Sequence, residues 1–535
     1  MKRNAISLSI MMIGLALAGS NAMASGYHFG TQSAAAQGTA NANGAEAADA
    51  STIFSNPAGL SHLQGSNVSG VLDLVAPDVS YHDEGSYVST PSLSNALPTV
   101  FGTPRPTGGG DGGKFAKPIA VPHFYYARQF DDKLSFGMGA FVPFGSKTKY
   151  DDNWAGRYNI VNTELTTVAF NPSFAFRLNP TVTIGGGVSA QYIDGKLARK
   201  VNYGAVLSGA LLKAAPTIAS QVGSAAAAQV IAAGGSAAQA QAAGAAAATS
   251  VTTDIVSKAS AAYANPTYDG DIDVKGDDWG YGFNLGVMFD IDRDTRLGFA
   301  YRSKVKHQLK GTADWSTPAS VANYVYTVPV AGTAVPIGAA AAQAIAASTA
   351  LGGLGHVDSD ASLNVTTPES LSVSFFKQMT EQWAIMADYT RTRHSRLQEL
   401  RIDFDSTTPD SITSERWMDT NKVSVGANFK LNDAWLLRAG LAYDNSPVNE
   451  DNRTPSIPDG DRTWYSVGAN WKLNKQMSVD FAYSYVKVNA GSIHNTDNNN
   501  GQYPADPACN CSNATVVGKY DIRANIVGVQ MNYAF

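Results

Sequence analysis

Few residues of this chain suit chemistry. It has two cysteines and eight histidines in 535 residues, and charged side chains make up 16%. No Gly-x-Ser-x-Gly elbow or other nucleophile setting occurs. His123, His307 and His394 stand in or near strand-like stretches with no evident serine partner, so nothing points to an enzyme. Cys509 and Cys511 are one residue apart, a spacing too constrained for an ordinary loop-closing disulfide. The nearest histidine is His494 and no further ligands cluster there, so neither a metal site nor a cofactor is expected. The formal net charge is −5, and with no basic stripe the chain offers nothing to nucleic acid. Past the N-terminus there is no apolar run of about 18 residues, so no membrane helix is expected.

The N-terminus itself sets the compartment. Lys2 and Arg3 are followed by the uncharged run from Ala5 to Ala18 and then by Ala22-Met23-Ala24. That is the three-part pattern of a secretory signal peptide over residues 1–24, too short and too small-ended for a membrane span. The mature chain is expected to start at Ser25.

What is abundant is aromatic residues and glycine: 23 Tyr, 21 Phe and 50 Gly. Mean hydropathy is only −0.13. A barrel wall accounts for both, since only alternate residues need be apolar. The C-terminus shows this best. Val527, Val529, Met531, Tyr533 and Phe535 alternate with Gly528, Gln530, Asn532 and Ala534. The same period of two runs through Met477–Tyr485, Trp435–Tyr443, Val423–Phe429 and Trp279–Phe289. In a soluble sandwich the apolar face would meet a second sheet; in an outer-membrane barrel it meets lipid.

Connections alternate in length. Short polar turns lie at Asp131-Asp132-Lys133, Asn179-Pro180, Asp292-Arg293-Asp294, Thr380-Glu381, Asn432-Asp433 and Asn474-Lys475. Long segments lie near 81–117, 146–156, 202–276, 312–362, 405–420, 445–462 and 488–516. Six short turns and seven long loops predict an all-β transmembrane antiparallel barrel of about 14 strands over residues 66–535. An even strand number puts both mature termini on the periplasmic side of a Gram-negative outer membrane. Such a barrel closes its own edges, so a monomer suffices. Alanine dominates 205–262, which predicts a helical hairpin within the loop 202–276. That hairpin is either a spacer or an apolar surface that captures lipid. Residues 331–354 are similar. Residues 25–65 lack a strand pattern and precede the first strand, so they are expected to fill the lumen as a plug.

Several blocks now resemble one known family. They are Asn56-Pro57-Ala58, Trp279-Gly280-Tyr281-Gly282-Phe283-Asn284, Tyr301-Arg302-Ser303-Lys304-Val305-Lys306, Gln382-Trp383-Ala384-Ile385, Asp444-Asn445-Ser446-Pro447-Val448, Ser456-Ile457-Pro458-Asp459 with Asp461-Arg462, and Met531-Asn532-Tyr533-Ala534-Phe535. In this order they resemble the FadL-type long-chain fatty acid transporters of the outer membrane. The resemblance implies a fourteen-stranded barrel with an N-terminal hatch carrying Asn56, Pro57 and Ala58. It implies gradient-driven uptake of a long-chain fatty acid, with sideways exit at a kink in the third strand. That kink falls in Phe141-Val142-Pro143-Phe144-Gly145, where Pro143 removes a ladder donor and Gly145 tolerates a bulge. It also implies ligand contacts at Tyr27, at Arg199 after the fifth strand and at Arg401 at the outer end of the ninth. Arginine suits a carboxylate, although both could be solvated lumen or rim charges. Terminal Phe535 resembles the signal read by the barrel assembly machinery.

Other readings differ in what they require. A channel for neutral or aromatic hydrocarbons on the same fold would not need Arg199 or Arg401. A general diffusion porin would need neither plug nor greasy lumen. Besides the hydrophobic ligand, the partners expected are outer-membrane lipids.

Overall fold

The computed structural model describes residues 30–89, 104–322, 324, 327–330, 333–336, 356–498 and 511–535. Tyr27, the signal peptide and Cys509 lie outside the described residues. Fourteen strands form one closed antiparallel barrel. They are β1 (Ser66–Asp83), β2 (Ile119–Gln129), β3 (Leu134–Phe141, resuming as Gly145–Lys149), β4 (Asn162–Arg177), β5 (Val182–Asn202), β6 (Asp269–Asp290) and β7 (Thr295–Arg302, resuming as Val305–Ser316). Then come β8 (Ser359–Thr367 and Ser370–Gln378), β9 (Trp383–Thr392 and Glu399–Phe404), β10 (Ser411–Ser414 and Thr420–Lys430), β11 (Trp435–Asp444), β12 (Asp461–Lys472), β13 (Met477–Thr496) and β14 (Ala514–Ala534). Each strand pairs with its sequence neighbour, and β14 closes on β1 from Asn67↔Ala534 to Asp83↔Gly518.

The two faces of the wall are inverted relative to a soluble protein. Large apolar side chains point outward and exposed: Leu72, Phe174, Tyr281, Leu285, Leu441, Val529 and Met531. Buried side chains facing inward include polar ones: Ser69, Asn171, Gln191, Asn284, Ser424, Arg438, Asp480 and Gln530. That arrangement is stable only where the outer solvent is hydrocarbon and the inside holds its own hydrogen bonds.

All six short turns share one device. At Asp131, Asn179, Asp292, Asn432 and Asn474 the side chain accepts from backbone N–H groups two or three residues on, and at Thr380 the hydroxyl does the same. Asx and Ser/Thr turns of this kind mimic a backbone turn and fix a tight reversal.

Several strands far exceed the 9–11 residues that cross a bilayer. On β6 the exposed apolar positions begin at Trp279, whereas Asp269 to Asp278 is mostly polar and acidic. The outer half of this strand therefore stands above the hydrocarbon. In the long loop between β5 and β6, helices α3 (Tyr203–Ala232) and α4 (Ala237–Ala262) form the expected hairpin. Leu207, Leu211 and Ile218 pack against Val251, Ile255 and Ala259. A capping box of Ser236 and Gln239 starts α4. By length and composition α3 is apolar enough to cross a membrane, against the expectation of no such helix, and alanine supplies much of its apolarity.

Residues 30–65 make two short helices and a 3-10 turn: α1 (Ala34–Gly38), α2 (Thr52–Ser55) and Pro57–His62. They touch inward-facing groups on many strands. Gln37 donates to the Ile526 carbonyl, Asn56 to the Val287 and Phe299 carbonyls, and Arg177 to the Ser61 carbonyl. Glycines in the wall make room. A Cβ at Gly286 would collide with the Asn56 side chain, and one at Gly185 with the backbone of Pro57 and Ala58. Cys511 is disulfide-bonded, contrary to the expectation drawn from its spacing.

Candidate functional site

Above residues 30–57 lies a cavity of about 150 Å³. Its walls include Phe54 and Pro57, Pro143 and Phe144 of the β3 interruption, Arg302, Pro368, His394, Lys422, Asp388 and Asp444. The interruptions of β3, β7, β8 and β9 thus meet at one level. There the ladder stops, and side chains that would otherwise serve a regular sheet turn to the cavity.

The acids and the cations of this cavity differ in their commitments. Asp388 accepts from the Gly44 N–H at 3.1 Å and the Ser374 hydroxyl at 3.0 Å. Asp444 faces Arg462 at 3.5 Å. Asp49 accepts from the Ser51 N–H. Arg302 ends the inner segment of β7 and donates to the Phe54 carbonyl at 3.0 Å and to Asn171 at 3.4 Å. Its guanidinium lies 4.9 Å from the Phe54 ring and 5.3 Å from that of Phe141. Lys422 places its ammonium 4.7 Å from the Trp464 ring. Neither Arg302 nor Lys422 is in an ion pair within 4 Å among the described residues: Arg302 is met by rings and a carbonyl, while Lys422 lies over a ring and interacts at longer range with Asp444 and Asp388. Desolvated charge without an opposite charge is costly, and an incoming anion would relieve it.

Arg199 and Arg401 stand elsewhere. Arg199 lies within β5, not after it, and pairs with Asp497 at 2.6 Å. Arg401 is half-exposed in the outer segment of β9, between Glu399 at 2.9 Å and Asp410 at 3.0 Å. Neither lines the cavity. The register explains why: Arg199 is opposite Ile272 on β6, while Arg302 is opposite Asn284. Twelve residues along a strand are about 40 Å, so the expected pair sits on the outer extension. Arg302 was within a block that carried the resemblance, yet a sequence gives no sign of how far the strands rise above the membrane.

The third strand stops at Phe141 and resumes at Gly145, with Pro143 between the two segments. The ladder between β2 and β3 ends at Phe124↔Ala140. Gly145–Lys149 pairs with β4 alone, and Ile119–His123 with β1 alone. Four residue steps on β3, from Phe141 to Gly145, span three on β4, from Ala169 to Thr166. One surplus residue therefore bulges the strand and leaves the wall unpaired on its β2 side. Asn56 begins the neighbouring 3-10 turn: its side chain accepts from the Ala58 N–H at 3.0 Å, and Pro57 takes the first position, where no N–H is needed.

A second cavity of about 780 Å³ opens at the short-turn end, among Asn67, Arg438, Lys472, Asn474 and Tyr533. Ala48 and Asp49 line both cavities.

A family model described as outer membrane protein transport protein (OMPP1/FadL/TodX) matches residues 15–535. A Neisseria meningitidis serogroup B protein, whose assigned name describes an outer membrane protein, is 32% identical over 544 residues, with 100% of both chains covered. The long-chain fatty acid transport protein of Escherichia coli K12 is 27% identical over 492 residues, covering 90% of this chain and 93% of that one. Among solved structures, a Pseudomonas aeruginosa FadL homologue shares the fold at a TM-score of 0.70 and 21% identity, covering 96% of this chain and 100% of that one.

Proposed function

We propose that this chain, which belongs to the outer membrane protein transport protein (OMPP1/FadL/TodX) family and is an outer-membrane transporter of hydrophobic compounds, takes up long-chain fatty acids. The observation that carries this reading is the pair Arg302 and Lys422, two cations that line a lumen cavity, lie against aromatic rings and have no close ion pair among the described residues, with Asp444 and Asp388 acting on Lys422 only at longer range. A fatty acid carboxylate would supply the direct anionic contact that both cations lack. Its chain would have an apolar surround in Phe144, Leu397, Trp417, Val448 and Ile457, which pack together beside the cavity.

In this reading residues 25–65 are a plug, and the short-turn end with both mature termini faces the periplasm. Ligand enters from the long-loop end and gives its carboxylate to Arg302 and Lys422. It leaves sideways between β2 and β3, where Pro143 lies and the ladder is missing. Lateral exit suits a hydrophobic cargo, because the ligand passes from lumen to lipid without crossing water. The concentration gradient is the only drive required. Exposed Phe535, whose N–H donates to the Ser66 carbonyl, ends the barrel seam and fits recognition by the assembly machinery. Tyr27 remains a candidate ligand contact.

The test is uptake of radiolabelled oleate by cells whose own fatty acid transporter is deleted. Arg302→Met is expected to reduce initial uptake at least fivefold at wild-type surface abundance. Unchanged oleate uptake in Arg302→Met, with toluene entering equally well, would favour a channel for neutral hydrocarbons.

A further inference from the structure

The β3 interruption leaves peptide groups without strand partners, and their replacements are specific. The Val142 N–H donates to His123 Nδ1 at 3.2 Å, and the Val142 carbonyl accepts from Gln32 Nε2 at 3.1 Å. Both bonds are buried. Pro143 has no N–H to satisfy. Phe144 bonds Thr167, its N–H reaching the hydroxyl at 3.0 Å and its carbonyl accepting from the Thr167 N–H at 3.1 Å. One residue of the kink, Val142, is thus held from two sides, once by the wall and once by the N-terminal segment.

The wall side is set from behind. Because Nδ1 accepts from an amide, neutral His123 carries its proton on Nε2. Nε2 faces the Asp73 carboxylate at 3.5 Å, and both side chains are wholly buried. The Asp73 carboxylate makes no hydrogen bond to Nε2, but its buried charge beside Nε2 favours the proton there and leaves the Nδ1 lone pair for Val142. The other side belongs to the N-terminal segment. Gln32 lies just before α1, with its own carbonyl accepting from the Tyr125 hydroxyl at 2.9 Å. The next residue, Ser33, bonds Gln530 on β14 at 2.9 Å.

We propose that Gln32 and His123 form a latch on the gap between β2 and β3, so that Val142 is clamped only while the N-terminal segment is seated. Withdrawal of residues 30–33 takes the donor away from the Val142 carbonyl, and the wall then holds the kink by the His123 bond alone. Ligand that displaces the segment from the cavity thereby loosens the gap. Asp73 is a positioning residue that acts through His123. The role of the gap as the exit and the release by ligand rest on the reading proposed above; the hold of Gln32 and His123 on Val142 does not.

Hydrogen–deuterium exchange of the full chain in detergent tests it, following a peptide over 138–146. In wild-type protein this peptide is expected to exchange slowly, and at least tenfold faster when decanoate saturates the protein. Gln32→Met keeps the side-chain length but loses the donor, and His123→Leu loses the acceptor. Each is expected to exchange fast at 138–146 without ligand. His123→Asn, which keeps an acceptor near the Nδ1 position, restores slow exchange. Wild-type exchange at 138–146 in both Gln32→Met and His123→Leu would overturn the latch. So would equal acceleration over 477–496, which would mark a general loss of stability. The exit reading fails separately if deleting Pro143 leaves oleate uptake intact while these exchange results hold.

Discussion

Single residues settle what the cavity prefers. A hydrogen bond to a charged group contributes about 1.5–3 kcal/mol, so losing one ligand contact weakens binding by about tenfold to a hundredfold. Arg302→Met and Lys422→Met are each expected to weaken oleate binding by at least tenfold, measured by displacement of a fluorescent fatty acid. Arg199→Ala and Arg401→Ala are expected to change it less than twofold, since both cations are already matched by carboxylates on the outer extension. A second residue, Glu415, lies between the two segments of β10, where burial pushes its carboxyl from 4.5 up to about 8. It accepts from the Trp417 indole N–H at 3.0 Å, beside the apolar cluster. A raised carboxyl pKa means the folded state holds the proton more tightly than the unfolded one. Stability from this site is therefore full below about 4.5 and declines as pH rises toward about 8. Glu415→Gln is expected to flatten that decline, read as the change in thermal unfolding between pH 5 and pH 9.

At the scale of elements the third strand carries the argument. Its one surplus residue opposite β4 means that deleting Pro143 restores an even register. The straightened strand would meet β2 along its outer half and close the gap. The expected outcome is a folded, heat-modifiable barrel whose oleate uptake falls at least tenfold. Gly286→Ala tests the seat of the N-terminal segment. The new Cβ overlaps Asn56, and overpacking of this kind costs about 1–3 kcal/mol. Proteolysis should then cut within 44–60 in the variant and not in the wild type. Much of this was legible beforehand. The turns at Asn179, Asn432 and Asn474 announce themselves because the side chain that closes each turn is local. Pro143 and Gly145 announce a break for the same reason. The cavity cations do not. Whether Arg302 or Arg199 faces the cavity depends on the register across β5, β6 and β7, and on which lumen level the N-terminal segment occupies. Those are long-range facts that no local pattern holds.

Over the whole molecule the stretch around Ala48 and Asp49 lines both the cavity beside Arg302 and the one at the short-turn end, and on the proposed plug reading it divides the lumen between them. A lumen so divided should pass little ion current, whereas removal of residues 30–60 should leave a large, steady pore in planar bilayers. The central claim is narrower: the cargo is recognised by its carboxylate, at Arg302 and Lys422. Equilibrium binding of oleate against oleyl alcohol, which shares the chain and lacks the charge, tests it most directly. The account predicts that wild-type protein prefers oleate by at least tenfold and that the double variant Arg302→Met, Lys422→Met binds the two alike. Equal binding by the wild type, or an undiminished oleate preference in the double variant, would contradict it.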